Sequence, residues 1–528
     1  MRRIWLLAFV AFFALAASWS MVEPLGAPID EPSHMLWAAA VSDGQFAPPR
    51  QTTTVVWGKP LLIEETDVTV PKELAELATE INCFDHQDIV PASCYQPLNE
   101  STALVKYVTP MGSYNPLYYL IVGWPVHVLP GLFGLYGMRL ISALICAALL
   151  ACATTTALRV GRVACCGVLV AATPTVLFLA GAVNPNGPEA AGGVLAFAAL
   201  AALALDRRPE LVRSRLSHFA LGAGVVTIVR PAGLEWLALL LATGFLMLGP
   251  RRALALARTR PGRPAWTGLG VTLPAAAAWD LARGGLNTVP VDHFNGYTLN
   301  DSVRDSILST GGYIQEMLGQ TGWNETPSPF GTLAAWLCLI GLLALGAMLL
   351  ARRRELLVLV GLLVGIVALP VAANAWQAYG LVNLWEGRYL LWWSVGLPVY
   401  AATLLAVRLG ALPESVGRRL PPLVYLVFVL GSAGAYWEIA RRYGIGQPGP
   451  GGKAPTEVWL TDFVWEPPGG WLPSLSLMLF GFGVLGVLFY LRRGDGRLPK
   501  GPASGSVVVD MDQPVVLGTE STEMATAM

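Results

Sequence analysis

The sequence predicts an all-α polytopic membrane protein, a bundle of about 12 transmembrane helices with two large extracytoplasmic loops. Hydrophobic residues make up 54% of the 528 positions and charged residues 13%, and the mean hydropathy is +0.54. Apolar stretches of about 20 residues, the length that crosses a bilayer, recur along the chain. Arginine-rich connections alternate with less basic ones, which assigns alternate connections to the cytoplasm. The formal net charge of zero provides no overall basic field to attract nucleic acid.

The first span is predicted over residues 4–22, where an apolar run follows Arg2 and Arg3. The run is long enough to cross the bilayer, which favours an uncleaved anchor over a secretory signal, and the two arginines place the N-terminus inside. The stretch IDEPSHMLWA, residues 29–38, then lies outside. Asp30 or Glu31 can cap a helix that Pro32 begins, so His34 falls one turn beyond Asp30 on the same face. Capping alone needs only one of these two acids.

The first outer loop covers about residues 23–137. Its polar part, residues 43–113, is too long for a simple connection and is predicted to form a small ordered lid with a short helix at PKELAELATEI. Cys83 and Cys94 can form a disulfide there if the loop is extracytoplasmic. Three prolines interrupt the apolar residues 113–131, which favours an interfacial or re-entrant helix, with a full span as the alternative.

The remaining spans alternate in direction, and a second outer loop covers residues 283–329. Residues 1–410 are predicted to form the functional transmembrane module, 411–491 the C-terminal transmembrane helices, and 492–528 a disordered cytoplasmic tail. Both termini are therefore expected in the cytoplasm. The predicted spans after the first are 138–158, 163–183, 190–205, 216–229, 233–248, 264–282, 330–350, 356–373, 389–407, 421–437 and 471–491.

Polar residues collect at the predicted outer ends of the helices. Ionisable groups at membrane depth are costly and usually mark a substrate path or a paired network. Some of these polar residues also have a purely structural explanation, since Asn184 and Asn186 suit a turn and Glu189 suits the start of a helix. The candidates are Asp30, Glu31, His34, Asn184, Asn186, Glu189, Arg230, Asp292, His293, Glu386, Arg388 and the adjacent Tyr389.

Arg388 is the most informative cation of this group because its position runs against the inside bias of positive charge. It can snorkel and pair with Glu386. Arginine also forks onto phosphate oxygens, so a phosphate lipid in the outer leaflet is a natural ligand. No glycine-rich phosphate loop, paired CxxC motif or metal-ligand set of convincing spacing is present in the sequence, so no cofactor is predicted, although a divalent metal stays possible.

Four motifs in this order carry a resemblance: DEPSH at 30–34, NPLYY at 115–119, NPNG at 184–187 and EGRY at 386–389. With the first span they resemble the GT-C class of membrane glycosyltransferases. More narrowly, they are similar to a largely bacterial family of predicted membrane proteins with PDEPxH, NPDG and GRY signatures. The resemblance covers about residues 1–410.

The GT-C resemblance implies transfer of a sugar from a polyprenyl-phosphate carrier to a cell-envelope glycan or protein at the outer face, usually with inversion. It implies that Asp30 is the catalytic base, with Glu31 and His34 in support. Arg388 would hold the carrier phosphate, and Glu386, Tyr389, Asn184, Asn186, Glu189 and His293 are the further candidates for substrate binding. Asn186 stands where the family has an acid, which puts a second carboxylate or metal role there in doubt.

Two other functions stay open. A transporter or flippase of a lipid-linked sugar should show an internal repeat and a midplane site, whereas we find no convincing repeat and the polar groups lie at outer helix ends. A non-catalytic protein of envelope assembly would tolerate any change of Asp30. The expected location is the plasma membrane of a bacterium, since the composition is rich in Ala, Gly and Arg.

Overall fold

Apolar runs fold as helices because a backbone in lipid must satisfy its own hydrogen bonds. The structure is a computed structural model that describes residues 1–57, 59–95, 101, 103–284, 298–377, 385–408, 414–448 and 457–490. Residues 1–489 form one compact unit; residues 490–528, which include the predicted cytoplasmic tail, form a second unit that lies outside the described residues except for Tyr490.

Helices dominate the described residues. They are α1 (Arg2–Val22), α2 (Glu31–Ser42), α3 (Lys72–Glu80), α4 (Pro116–Gly123), α5 (Gly131–Val160), α6 (Arg162–Ala171), α7 (Pro174–Ala180), α8 (Asn186–Leu205), α9 (Val212–Ile228), α10 (Gly233–Leu248), α11 (Pro250–Arg258), α12 (Arg263–Arg283), α13 (Leu299–Leu308), α14 (Thr310–Gly319), α15 (Phe330–Leu350), α16 (Arg353–Gln377), α17 (Leu391–Ser394), α18 (Gly396–Val407), α19 (Glu414–Ile445) and α20 (Trp471–Tyr490).

Eight helical segments in the described residues are long and apolar enough to cross a membrane, which supports a multi-pass membrane protein. Two bent pairs, α6 with α7 at 70° and α10 with α11 at 112°, raise the number to ten if each pair is one span. The sequence predicts about 12; α9 and α12 are helices at the expected positions but are not among these candidates. In the apolar stretch of α8, 89% of the residues are buried, whereas only 28% are buried in those of α15 and α16, as expected for helices that face lipid.

Basic residues gather at one end of the bundle. Arg159 at the end of α5 donates to Ser214 of α9 at 2.8 Å, and Arg408 after α18 pairs with Glu355 of α16 at 2.8 Å. The positive-inside rule predicts that this end faces the cytoplasm. We call the opposite end, where α1 ends and α5 and α8 begin, the outer end.

The lid, residues 43–113, contains an antiparallel sheet that the sequence analysis did not predict. Strands β1 (Arg50–Trp57), β2 (Lys59–Pro71) and β3 (Leu104–Thr109) lie in the order β1-β2-β3, with Thr66 of β2 opposite both Arg50 and Thr109. The predicted short helix is α3. Cys83 and Cys94 form a disulfide with their Cα atoms 6.0 Å apart, as expected of an oxidising compartment.

The segment between the lid and α5 does not cross a membrane as a helix. Helix α4 has eight residues and a 3₁₀ turn, Trp124–His127, follows it. At about 1.5 Å per residue, α4 is about 12 Å long, far short of a bilayer core. Leu120, Ile121 and Trp124 stay exposed, which agrees with the interfacial interpretation.

The second outer loop contains α13, α14 and a small hairpin. Strands β4 (Gln320–Thr321) and β5 (Thr326–Pro327) pair antiparallel, and the turn between them carries Trp323, Asn324 and Glu325. Asn324 adopts a positive φ of 59°, which suits an asparagine in a tight turn.

Candidate functional site

Asp30 occupies a strained backbone position at the start of α2. Its φ of 60° and ψ of 1° lie in the left-handed region, which aspartate tolerates better than most residues. Although Asp30 is the N-cap residue, its side chain makes no capping hydrogen bond. The carboxylate therefore points to other partners.

The main partner of Asp30 is Arg388, which lies 358 residues away in the sequence. Nη2 of Arg388 donates to Oδ2 of Asp30 at 2.7 Å. Nε of the same guanidinium lies 2.5 Å from Oε2 of Glu386. The Arg388 side chain is only 4% exposed, whereas that of Asp30 is 31% exposed. The predicted base and the predicted phosphate-binding cation are thus in direct contact at the outer end.

Local packing fixes the segment that carries Arg388. Residues Gly387–Leu390 form a 3₁₀ turn that leads into α17. The backbone N–H of Gly387 donates to the carboxylate of Glu316 in α14, and a Cβ on Gly387 would overlap the carbonyl oxygen of Tyr313. Only glycine allows this close approach between the turn and α14.

A second guanidinium lies beside the first. Arg230, between α9 and α10, places its Cζ 4.4 Å from the ring centroid of Tyr389, and Cζ of Arg388 lies 5.1 Å from the same centroid. Arg230 donates to Oδ1 of Asn186 and lies 3.8 Å from the buried carboxylate of Glu189. Since Asn186 is neutral, Glu189 is the carboxylate that pairs with Arg230 within the described residues.

The NPNG turn connects these cations to α2. Nδ2 of Asn184 donates to the carbonyl oxygen of Ile29 at 3.0 Å, and Oδ1 of Asn184 accepts from the backbone N–H of Asn186 at 3.0 Å. Asn184 therefore joins the residue before Asp30 to the residue that holds Arg230.

Glu31 binds Arg139 of α5. The pair is fully buried, with Nη2 of Arg139 2.5 Å from Oε2 of Glu31 and Nε 2.8 Å from Oε1. The backbone N–H groups of Gly26 and Val183 also donate to this carboxylate, at 3.0 and 2.9 Å. Glu31 thus stabilises the turn that carries Asp30.

Arg139 is a site residue that the sequence analysis missed. Besides Glu31 it donates to the carbonyl oxygens of Ser20, in the last turn of α1, and of Glu23 and Pro24, just after this helix. The signal was a single arginine near the start of an apolar run, which usually marks a buried network.

His34 lies on the neighbouring turn of α2. Its Nδ1 is 2.8 Å from the hydroxyl of Tyr119, and its ring contacts Tyr114 edge-on at 5.4 Å between centroids. Burial, together with the positive charges of Arg388 and Arg230, lowers the pKa of His34 to about 3, although the attraction of Asp30 opposes this shift. The imidazole is therefore neutral at physiological pH.

The carboxylates that flank Arg388 have opposite pKa shifts. Burial raises the pKa of Asp30, but the charge and hydrogen bond of Arg388, with the charge of Arg230, outweigh burial and leave this pKa below its ordinary value. Burial raises the pKa of Glu386, and the attraction of Arg388 only partly offsets it. Asp30 is therefore ionised in the ion pair.

Most of the predicted site residues meet at this place. Asp30, Asn186, Glu189, Glu386, Arg388 and Tyr389 belong to one polar network with Arg230, whereas Glu31 and Asn184 support its backbone. His293 and Asp292 lie outside the described residues. No group of three or more His, Cys, Asp or Glu residues within the described ranges is arranged to hold a metal ion.

Comparison with known proteins identifies a family without adding an activity. No curated protein and no solved structure matches the chain. One family profile does match, over residues 12–392, a range that includes α1, the DEPSH stretch and Arg388. This match covers most of the chain, and the protein therefore belongs to the family described as predicted membrane protein, DUF2142.

Proposed function

We propose that the protein is an integral membrane glycosyltransferase of GT-C type that moves a sugar from a polyprenyl-phosphate carrier to a cell-envelope acceptor at the outer face of a bacterial plasma membrane. Residues 1–410 would form the catalytic module. The observation that carries the proposal is the contact between the Asp30 carboxylate and the Arg388 guanidinium at 2.7 Å. Sugar transfer from a phosphate needs a base and an anion site side by side.

The environment of Arg388 suits a phosphate. Its guanidinium is almost buried, and Nη1 has no hydrogen-bond partner among the described residues. A buried donor without a partner is costly, so a ligand oxygen would stabilise it. Arg230, which shares the Tyr389 ring, supplies a second positive charge. Two guanidiniums stabilise the charge that grows on a leaving phosphate.

Asp30 becomes a stronger base when the donor binds. In the free protein Arg388 holds the pKa of Asp30 low against the effect of burial. A phosphate bound to Arg388 would compete for the same guanidinium, and burial would then raise the proton affinity of Asp30. The base would therefore be activated by the substrate that it must act on.

The reaction balances with these residues. The acceptor hydroxyl oxygen attacks the anomeric carbon as the bond from that carbon to the phosphate oxygen breaks. The electron pair leaves with the polyprenyl phosphate, which Arg388 and Arg230 stabilise, and the hydroxyl proton moves to Asp30. Neutral His34, Glu386 and Tyr389 would position these groups, and His293 stays a proposed substrate ligand. Attack from the face opposite the phosphate gives inversion.

The test is transfer by purified full-length protein in liposomes that contain a panel of polyprenyl-phosphate sugars and cell-envelope acceptors. Asp30→Asn should abolish transfer and keep donor binding, since it removes basicity at nearly constant shape. Arg388→Gln should weaken donor binding as well. Glu355→Gln is the matched control because it breaks an arginine–carboxylate pair at the basic end. Equal activity of wild type and Asp30→Asn would refute the assignment, and carrier movement between leaflets without transfer would indicate a transporter.

A further inference from the structure

The loop closed by the disulfide, residues 83–94, is held in place from the far end of the chain. We call it the clasped loop. Arg442 of α19 is fully buried and donates to the carbonyl oxygens of Phe84, Gln87 and Val90 at 2.9, 3.1 and 2.7 Å. The disulfide and Arg442 together fix a short loop that has no regular strand or long helix.

The clasped loop presents Asp85 and His86 to the turn between β4 and β5. His86 adopts a positive φ of 53° and leaves its side chain 69% exposed. Its ring packs edge-on against Trp323, with 5.6 Å between centroids. A positive φ is uncommon for a residue other than glycine, and residues in such conformations cluster at active sites and ligand-binding segments.

Three buried polar atoms in this group have no hydrogen-bond partner among the described residues. They are Oδ1 of Asp85, Nε1 of Trp323 and Oε2 of Glu325. The Glu325 side chain is 10% exposed, and its other oxygen accepts from Arg442 at 2.9 Å. Oδ1 of Asp85 lies 3.6 Å from Nε2 of His86, which is beyond hydrogen-bond distance. Two acceptors and one donor thus lack hydrogen bonds in a region that folding has fixed, which points to a ligand that both donates and accepts hydrogen bonds.

The group lies next to the candidate catalytic residues. Nδ2 of Asn324, between Trp323 and Glu325, lies 3.3 Å from Oε2 of Glu386, the partner of Arg388. Burial raises the pKa of Asp85, and the negative charge of Asp30 adds to this effect. The contacts of Asn324 with Glu386, of Glu386 with Arg388 and of Arg388 with Asp30 connect this turn to Asp30.

We propose that Asp85, His86, Trp323 and Glu325 form a carbohydrate-binding subsite that takes a sugar ring of the acceptor beside Asp30. A sugar ring offers an apolar C–H face to an aromatic ring, and its hydroxyls donate to carboxylates and accept from an indole N–H. The two carboxylates disfavour an anionic ligand, and no metal-binding group occurs in the described residues. The role of the sugar as acceptor rests on the proposed function, whereas carbohydrate binding does not.

Binding can be tested without any donor or turnover. Saturation-transfer difference NMR of the detergent-solubilised full-length protein would probe methyl glycosides of glucose, galactose, mannose, rhamnose and arabinose. We expect at least one glycoside to bind to the wild type. Trp323→Leu and Asp85→Asn should each weaken its binding about tenfold, which corresponds to the loss of about one strong contact. Trp376→Leu is the matched control, since that tryptophan is 87% exposed at the end of α16.

The outcomes separate this inference from the proposed function. Asp30→Asn should keep glycoside binding while it loses transfer. If no variant, nor the wild type, transfers sugar, the proposed function fails, but glycoside binding still supports the subsite. Absence of binding by every glycoside to the wild type would overturn the subsite. Equal binding by wild type, Trp323→Leu and Asp85→Asn would overturn it as well. Asp85→Asn changes one atom and should fold, which covers the case in which Trp323→Leu does not.

Discussion

The buried pair of Glu31 and Arg139 gives the sharpest quantitative prediction. Both side chains are 0% exposed, and each oxygen of Glu31 accepts one hydrogen bond from Arg139 and one from a backbone N–H. In Glu31→Gln, one of the two carboxylate oxygens is replaced by an NH₂ group that faces two hydrogen-bond donors, and Arg139 loses its counter-ion. Breaking a buried pair in this way costs about 3–5 kcal/mol.

The free energy of unfolding can be measured by SDS titration of the protein in mixed micelles. Glu64→Gln is the control because the pair of Arg50 and Glu64 is partly exposed, so its loss should cost about 0–1 kcal/mol. The double variant Glu31→Gln with Arg139→Gln removes both buried charges and should cost about 1–3 kcal/mol less than the sum of the single changes.

A cost for Glu31→Gln no larger than that for Glu64→Gln would refute this reasoning. The same variant tests how Glu31 acts in transfer. If Glu31 only positions Asp30, the folded fraction of Glu31→Gln should keep transfer with the wild-type pH profile, whereas Asp30→Asn should lose transfer. A well-folded Glu31→Gln protein without transfer would instead assign a chemical role to Glu31.

Three further predictions follow from the site. Asn186→Asp adds a carboxylate to Arg230 and should weaken binding of a polyprenyl-phosphate donor about tenfold, measured by titration in nanodiscs, with no gain in transfer. The pKa of His34 is about 3 in the folded protein and 6.5 in the unfolded chain, so the unfolded chain binds more protons as the pH falls below 6.5. The free energy of unfolding should therefore fall by about 2 kcal/mol between pH 7 and pH 5. His34→Gln should remove this contribution to the pH dependence, measured by SDS titration at the two pH values. Gly387→Ala should displace Arg388 and reduce transfer and donor binding together, whereas unchanged donor binding would show that the turn can move away from Tyr313.

Much of the fold could be predicted because lipid leaves the chain few choices. The lengths of the apolar runs indicate where helices lie, and the positions of the arginines indicate which helix ends lie on the same side of the membrane. Helices α1, α5 and α15 occur where the sequence places them. The weaker predictions concern α9 and α12, which are helical but not clearly spans. Hydropathy alone does not separate a short buried helix from a helix that crosses the bilayer.

The lid sheet escaped prediction for a different reason. Strands β1 and β2 combine threonines, valines and charged residues in a loop that is polar on average, so no clear two-residue alternation marks them. The pairing of β2 with β3 depends on contacts between residues roughly 33–43 positions apart, which local patterns do not encode.

The candidate site divides in the same way. Asp30 and Arg388 can each be recognised in the sequence, because each is a charged residue at the predicted outer end of an apolar segment. The structure brings the two side chains into contact. The partners of Arg230 and Arg139 could not be predicted, since they come from helices whose neighbours a single sequence does not specify. Trp323 carries no sequence motif that marks it as a ligand-binding residue.

The distance along the chain between partners also sets an order of biosynthesis. The pair of Glu31 and Arg139 can close once the first 140 or so residues have entered the membrane, but Asp30 must wait for Arg388, about 250 residues later. At about 5–20 residues per second, this wait lasts roughly 12–50 s. During that time the turn that carries Asp30 can already be folded in the nascent chain, but its carboxylate is not paired with Arg388. In a chain whose synthesis is stalled before residue 388, Asp30 would therefore lack this partner.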